Sequence, residues 1–348
     1  MATIEASREE PKPVDSLEEE QKPAQTERQV FYREGTVIIR WLFGYYDERN
    51  LPGWTNPPRW PHTLSTCVPK KRRTRFRDVT FVGIDIDELR EENGMPTQFH
   101  IGISILYTAD LHDLCHSSSP VAKSLAESPR GNVIQSHHWI IEDPNYFSKN
   151  DNRFCFGKYR CVPFSDFKQS LEKLLRQFHP LILVCHGISR ERITLRKLDI
   201  DLKPLFEIDT TKAARYPLQE LHDSTLKKLM KDFEIPCSPE LIHFAGNDAH
   251  CVLRVLLMIA AHDARKELQV VPAWVPAFEA VARAPLPPMP LKRAQKAAIK
   301  RRGKRDPVSL AAAQACWANV LRSRQGDIST ELELANQMLE TMSVRDAR

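Results

Sequence analysis

The sequence predicts an α/β fold in which helices cover a mixed sheet, and two observations carry the prediction. Three strand-like apolar runs come one after another, with only irregular chain between them. Further short strands then alternate with amphipathic helices. A run of consecutive strands makes antiparallel neighbours, whereas strands separated by helices return parallel. Both patterns fall within residues 78–265, which are taken as the folded domain.

The elements follow in order. DVTFVGIDI from Asp78 is a near-continuous apolar run, as a central strand shows. QFHIGISILY alternates and reads as a second strand, and NVIQSHHWII as a third. FSDFKQSLEKLLRQF places Phe167, Leu171, Leu174, Leu175 and Phe178 on one helical face, with Ser165 as cap. LILVCHG is a short buried strand, and SRERITLRKLDI is a helix capped by Ser189. PLFEIDT is a strand and LQELHDSTLKKLMKDF a helix. NDAHCVLRVLLMIAAHDARKEL is a long apolar helix capped by Asn247.

The flanks differ in composition. Residues 1–28 hold eight acids, four bases and almost no apolar residues, and read as a disordered acidic leader. Residues 29–77 are an aromatic, Pro-rich segment with Phe31, Tyr32, Trp41, Phe43, Tyr45, Tyr46, Trp54 and Trp60. It is either a strap packed on the domain or a surface for stacking bases. It ends in a basic run, Lys70, Lys71, Arg72, Arg73, Arg75 and Arg77. Such a run serves as a solvated linker, a nuclear localisation signal or a phosphate-binding strip. Residues 266–348 form a Pro-rich, basic and helical tail, with eight cations and no acid in LKRAQKAAIKRRGKR. The arms are therefore expected to be disordered or extended, and the tail is a candidate surface for protein partners.

Composition excludes several classes. A formal charge of +5 over 348 residues is too small for a uniformly polycationic packaging protein. The leader lacks the apolar core of a signal peptide. The longest apolar stretch, Val252 to Ala261, is broken by Arg254 and too short to span a bilayer. No membrane association is expected, and the chain is placed inside the cell, in the nucleus, the cytoplasm or both. The eight cysteines contain no CxxC pair, so they read as reduced thiols rather than a disulfide framework or a zinc site.

Three segments of the central domain carry candidate chemistry. In Gly83-Ile84-Asp85-Ile86-Asp87-Glu88, residues i and i+2 of a strand share a face. Asp85 and Asp87 therefore repel each other unless a cation sits between them. The plainer reading is that Asp87 and Glu88 simply begin a solvated loop. In His243-Phe-Ala-Gly-Asn-Asp248, Asp248 falls in the first helical turn, where the helix dipole alone would favour it. In Val184-Cys185-His186-Gly187-Ile188-Ser189-Arg190-Glu191, a carboxylate rides the first turn of a helix after a buried strand. Sites of α/β sheets gather at such strand ends. His186 is a possible ligand, although a structural histidine satisfies the same pattern.

Taken in order, the three segments resemble the DEDD 3′–5′ exonuclease family of the ribonuclease H-like fold. The similarity spans about residues 78–265. Its most specific part is His243-Phe-Ala-Gly-Asn-Asp-Ala249 with the upstream LKKLM. Phe206-Glu-Ile-Asp-Thr210 is a further echo. The block is closer still to a fungal subgroup with an HNAGNDA motif, similar to yeast proteins linked to mRNA export. The resemblance implies a ribonuclease H-like sheet and two divalent cations, Mg2+ or Mn2+, held by Asp85, Asp87, Glu191 and Asp248. It implies His243 as general base, and RNA or single-stranded DNA as substrate, with the basic run 70–77 on the phosphate backbone. Asp87 stands where the family has Glu, and Glu191 where it has Asp. These departures leave two outcomes: a metal-dependent 3′–5′ exonuclease, or a weakened or inactive nucleic-acid-binding or scaffold protein in RNA metabolism. Asp199 and Asp201 are the nearest substitutes should Glu191 not be a ligand.

Overall fold

The computed structural model describes residues 34–46, 75–116, 133–142, 153–178 and 180–287. Among these, six strands form one sheet in the order β4-β3-β2-β1-β5-β6. Strands β1 (Thr80–Glu92), β2 (Met95–Tyr107) and β3 (Ile134–Glu142) form an antiparallel meander. Strand β4 (Tyr159–Pro163) adds parallel to β3, while β5 (Leu181–Cys185) and β6 (Phe206–Asp209) add parallel to β1 and β5. The sheet is therefore mixed, as the order of strands and helices predicts.

Helices lie on both faces. One face takes α3 (Phe164–Leu175) and α4 (Ser189–Lys197), whose Phe167, Leu171, Leu175 and Leu195 pack on Val82, Ile84, Ile86, Ile101 and Ile103. The opposite face takes α8 (Ala245–Glu267), a 23-residue helix with Val252, Leu253, Leu256 and Leu257 against Phe81 and Leu106. Each β1 residue faces one layer or the other, so its alternation sends Ile84 and Ile86 to the first and Asp85 and Asp87 towards α8.

The core takes in residues on both sides of 78–265. Helix α1 (Glu34–Leu42) is buried from Thr36 to Leu42. Its Arg40 makes a two-pronged ion pair with buried Asp263, both bonds at 2.7 Å. Phe43 packs with Phe76, Phe81, Trp274 and Phe278, the last two from α9 (Val275–Ala282) and the residue before it. Trp41 and Phe43 are thus a strap built into the core, and not rings left bare for bases. Phe31, Tyr32, Trp54 and Trp60 lie outside the described residues.

Several local expectations are corrected. Strand β4 was not anticipated, because only Val162 in it is buried and an edge strand shows little apolar signal. Helices α2 (Thr108–His116) and α9 also lacked a clear pattern. Residues 218–233 are not one helix. Short α5 (Thr210–Ala213) and α6 (Arg215–Leu218) precede α7 (Leu226–Asp232), which Thr225 caps by accepting from the Lys228 N–H. The proposed caps are also displaced. Helix α3 starts at Phe164 after Pro163, and Ser165 bonds Asp166 instead. Ser189 is the first residue of α4, and Asn247 lies inside the first turn of α8.

Candidate metal centre

Strand β1 brings the first two carboxylates. Asp85 pairs across β2 with Gly102, and Asp87 with His100. The ladder shifts register just past Asp87, where Glu88 takes φ 51°. This bulge turns the strand away and ends the carboxylate pair at the sheet's rim.

The third carboxylate depends on a close approach. A Cβ on Gly102 would lie 1.8 Å from the Ala245 carbonyl oxygen, so only glycine lets α8 begin against the sheet. On the helix side, a Cβ on Gly246 would lie 2.7 Å from Cβ of His138. With both side chains absent, Asp248 comes down beside β1. Oxygens of Asp85, Asp87 and Asp248 then all lie within 4.8 Å of one another.

Glu191 arrives from the other direction. Val184 of β5 pairs with Gly83, so the chain leaves β5 level with the carboxylate end of β1. The turn is held by Asp209, whose Oδ1 accepts from the Gly187 and Thr211 N–H groups and from the Thr211 hydroxyl. Glu191 sits in the first turn of α4, only 4 % exposed. It stands outside the three-residue cluster, yet its charge adds to those that raise the Asp85 carboxyl.

The electrostatics are those of a tight acidic cluster. Burial, then Asp87, Asp248 and Glu191, push the Asp85 carboxyl well above its ordinary range. Burial pushes Asp248 up to about 7 against the opposing hydrogen bond from His243, with Asp87 adding to the rise. Burial likewise pushes Glu191 up to about 7. Asp85 Oδ2, Asp87 Oδ2, Glu191 Oε2 and Asp248 Oδ1 are all buried, with no hydrogen-bond partner among the described residues. Buried carboxylate oxygens left unpaired are costly. Four of them drawn from three elements fit hard divalent cations, which take oxygen ligands.

The HFAGND block has a role at each position. His243 is exposed, takes φ 66°, and donates its backbone N–H to Asp248 Oδ2 at 2.9 Å. The Phe244 carbonyl accepts from the Asn247 and Asp248 N–H groups. Asn247 is a brace rather than a cap. Its Nδ2 donates to the Arg153 and Leu241 carbonyls, and its Oδ1 accepts from the Cys155 N–H.

Other candidates fall elsewhere. His186 hydrogen-bonds Thr210 through Nδ1 at 3.1 Å, the structural alternative. Asp199 is exposed and paired with Lys168, and Asp201 accepts from the Lys203 N–H. Both line a cleft of about 440 Å³ whose walls include none of Asp85, Asp87, Glu191 and Asp248, so neither can substitute for Glu191. Of the basic run, Lys70, Lys71, Arg72 and Arg73 lie outside the described residues. Arg75 is exposed, whereas Arg77 stacks its guanidinium 4.8 Å above the Trp41 ring. The basic part of the tail also lies outside, but Trp274, Val275 and Phe278 at its start are buried. All six cysteines among the described residues are free. Among those residues no helix is long and apolar enough to cross a membrane.

Sequence reasoning missed Asp209, Gly102 and His138 as parts of the site's support. The FEIDT echo pointed at Asp209 without giving it a task. Nothing local marks Gly102 or His138, because their roles depend on which strand lies opposite α8.

Residues 80–259 match the family profile described as DNA polymerase III subunit epsilon-like, C-terminal domain (DEDDh_C). That span is slightly over half of the chain, and the chain belongs to this family. No curated protein matches it.

Proposed function

We propose that this member of the DEDDh family hydrolyses phosphodiester bonds of RNA or single-stranded DNA from the 3′ end, dependent on two divalent cations, Mg2+ or Mn2+. The observation that carries the reading is the set of four buried, unpartnered carboxylate oxygens on Asp85, Asp87, Glu191 and Asp248. Buried carboxylate oxygens that serve structure alone usually have hydrogen-bond partners, and here Asp85, Asp87 and Asp248, which lack one among the described residues, also lie within 4.8 Å of one another.

Asp85, Asp87, Glu191 and Asp248 would hold the cations. When bound, the cations supply positive charge for the phosphoryl oxygens and for the leaving oxygen of an in-line displacement. His243 projects from a loop whose backbone is tied to Asp248, and its imidazole is open to solvent. It takes the proton of the attacking water. The water oxygen bonds to phosphorus, the bond to the 3′ oxygen of the preceding nucleotide breaks, that oxygen takes a proton from solvent to become the new 3′-hydroxyl, and a nucleoside 5′-monophosphate is released. Asp248 thus serves twice, as a cation ligand and as the acceptor that orients the His243 loop. The basic run 70–77 would add sequence-independent, salt-sensitive affinity for the phosphate backbone. The resemblance to the fungal subgroup adds RNA metabolism and mRNA export, in nucleus or cytoplasm, to this proposal.

The test uses the full chain and 5′-labelled single-stranded RNA and DNA. Ladders that shorten stepwise with Mn2+ or Mg2+, stop with EDTA and are blocked by a 3′-phosphate are expected. Asp248→Ala should remove the activity while circular dichroism stays unchanged. No shortening of either substrate, with no Mn2+ binding by calorimetry, overturns the reading. RNA binding that Asp85→Ala/Asp248→Ala leaves unchanged, without any cleavage, would instead support a nucleic-acid-binding scaffold.

A further inference from the structure

The sheet face beneath α8 is polar where it nears the carboxylates. The register sets its residues in rows across three strands: Gly83, Ser104 and Ser136, then Asp85, Gly102 and His138, then Asp87, His100 and Ile140. His138 therefore stands level with Asp85, two strands away, on the far side of the gap that Gly102 leaves.

Its surroundings are unusual for a histidine. The side chain is 0 % exposed. Its ring stacks on Phe244, with centroids 4.3 Å apart, and meets His100 edge-on at 5.2 Å. Nδ1 accepts from the Gly246 N–H at 3.1 Å. The first N–H groups of a helix have no partner inside the helix. In α8 the Phe244 carbonyl serves those of Asn247 and Asp248, and the Gly246 donor is met from β3.

We propose that His138 is a positioning residue: by accepting the Gly246 N–H from the neighbouring strand, it fixes the first turn of α8 and thereby the place of Asp248 over β1. This rests on the reading that Asp248 holds a divalent cation. The choice of acceptor makes physical sense. Helix starts are usually met by the oxygen of an Asp, Asn, Ser or Thr side chain. An Asp here would add a fourth negative charge beside Asp85, Asp87 and Asp248. A neutral imidazole satisfies the donor without it and leaves the helix's positive end for the carboxylates. Burial, with His100 adding to it, pushes the His138 imidazole down to about 3, so it stays neutral. With Nδ1 accepting, the proton resides on Nε2.

Two variants of the full chain separate the acceptor from the ring. His138→Asn keeps an acceptor at the position of Nδ1 and loses the stacking on Phe244. His138→Phe keeps the ring and loses the acceptor. Residues that orient a metal ligand affect metal affinity by about 10–100-fold. Mn2+ titration calorimetry should therefore show His138→Phe weakened by about tenfold or more, and His138→Asn within about threefold of the unmodified chain. The Gly246 amide should exchange with deuterium slowly in the unmodified chain and in His138→Asn, and fast in His138→Phe. Equal weakening in both variants, or none in His138→Phe, overturns the proposal. If the unmodified chain binds no Mn2+, the cation reading fails by itself, and amide exchange still decides whether His138 holds the helix start. Should His138→Phe not fold, His138→Leu replaces it. A fast-exchanging Gly246 amide in the unmodified chain overturns the proposal whatever the variants do.

Discussion

Replacing Asp248 by Asn should make the cation-free protein more stable at pH 8 and abolish its stabilisation by Mn2+. The amide keeps an oxygen for the His243 N–H, which Asp248 now bonds at 2.9 Å. It removes one negative charge from a cluster whose oxygens lie within 4.8 Å of one another. The carboxyl rises from 3.8 to about 7 on folding, chiefly through burial. At 1.36 kcal/mol per pH unit, keeping it ionised in the fold costs about 4 kcal/mol. The buried amide brings N–H donors with acceptors only in the acidic cluster, which offsets part of this, so a gain of about 1–3 kcal/mol is expected. The sign follows from proton counting. Between about pH 4 and about 7 the folded chain binds a proton at Asp248 that the unfolded chain has released. The stability that this group contributes is complete below about pH 4 and is lost as pH rises through about 7. Glu191, also raised to about 7, acts in the same direction. Urea unfolding in EDTA at pH 4 and pH 8 measures the effect: the two proteins should nearly coincide at pH 4 and diverge at pH 8. Mn2+ at 100 times its Kd should restore about 2.7 kcal/mol to the unmodified chain and nothing to the variant. Equal stabilities of the two proteins at pH 8 in EDTA would refute the reasoning; the buried histidines, His138 among them, titrate alike in both and cancel in the comparison.

Three further outcomes are expected. Gly102→Ala, whose Cβ would meet the Ala245 oxygen at 1.8 Å, should cost about 3 kcal/mol or more in chemical denaturation and weaken Mn2+ binding in calorimetry. Unchanged stability and binding would show that α8 does not need this approach. Asp263→Ala removes both 2.7 Å bonds from buried Arg40 while the longer 3.3 Å contact with Glu267 stays, and should lower stability by about 3–5 kcal/mol, read by urea melts. Thiol titration at pH 8 should label exposed Cys161 and Cys237 quickly. Buried Cys155, pushed up to about 12, and Cys185, pushed well above its ordinary value, should be labelled only after unfolding.

The strand order was legible because burial leaves a periodic trace. β5 and the first half of β1 are buried on both faces, being central, and their apolar runs stand out in the sequence. β4 was not legible, since an edge strand with one buried residue looks like loop. Asp85 and Asp87 were legible as a same-face pair because the strand period is local. Asp248 and Glu191 became candidates through the order of three motifs, not through any contact the sequence displays.

What the sequence determined by itself was the chemistry available: hard oxygen donors on β1, α4 and α8, and the HFAGND block with its early aspartate. What only the tertiary structure decided was convergence. Cross-strand register sets Gly102 beside Asp85, and the missing side chain lets α8 begin there. The same register aims His138 at Gly246 and makes Asn247 a brace between loops. The approach of Gly102 to Ala245, of His138 to Gly246 and of Asn247 to Arg153 joins residues more than ninety positions apart. Local propensity carries no information about them. Burial completes the picture: at the candidate site it leaves oxygens of Asp85, Asp87, Glu191 and Asp248 with no partner among the described residues, a condition that arises only once the chain has closed around them.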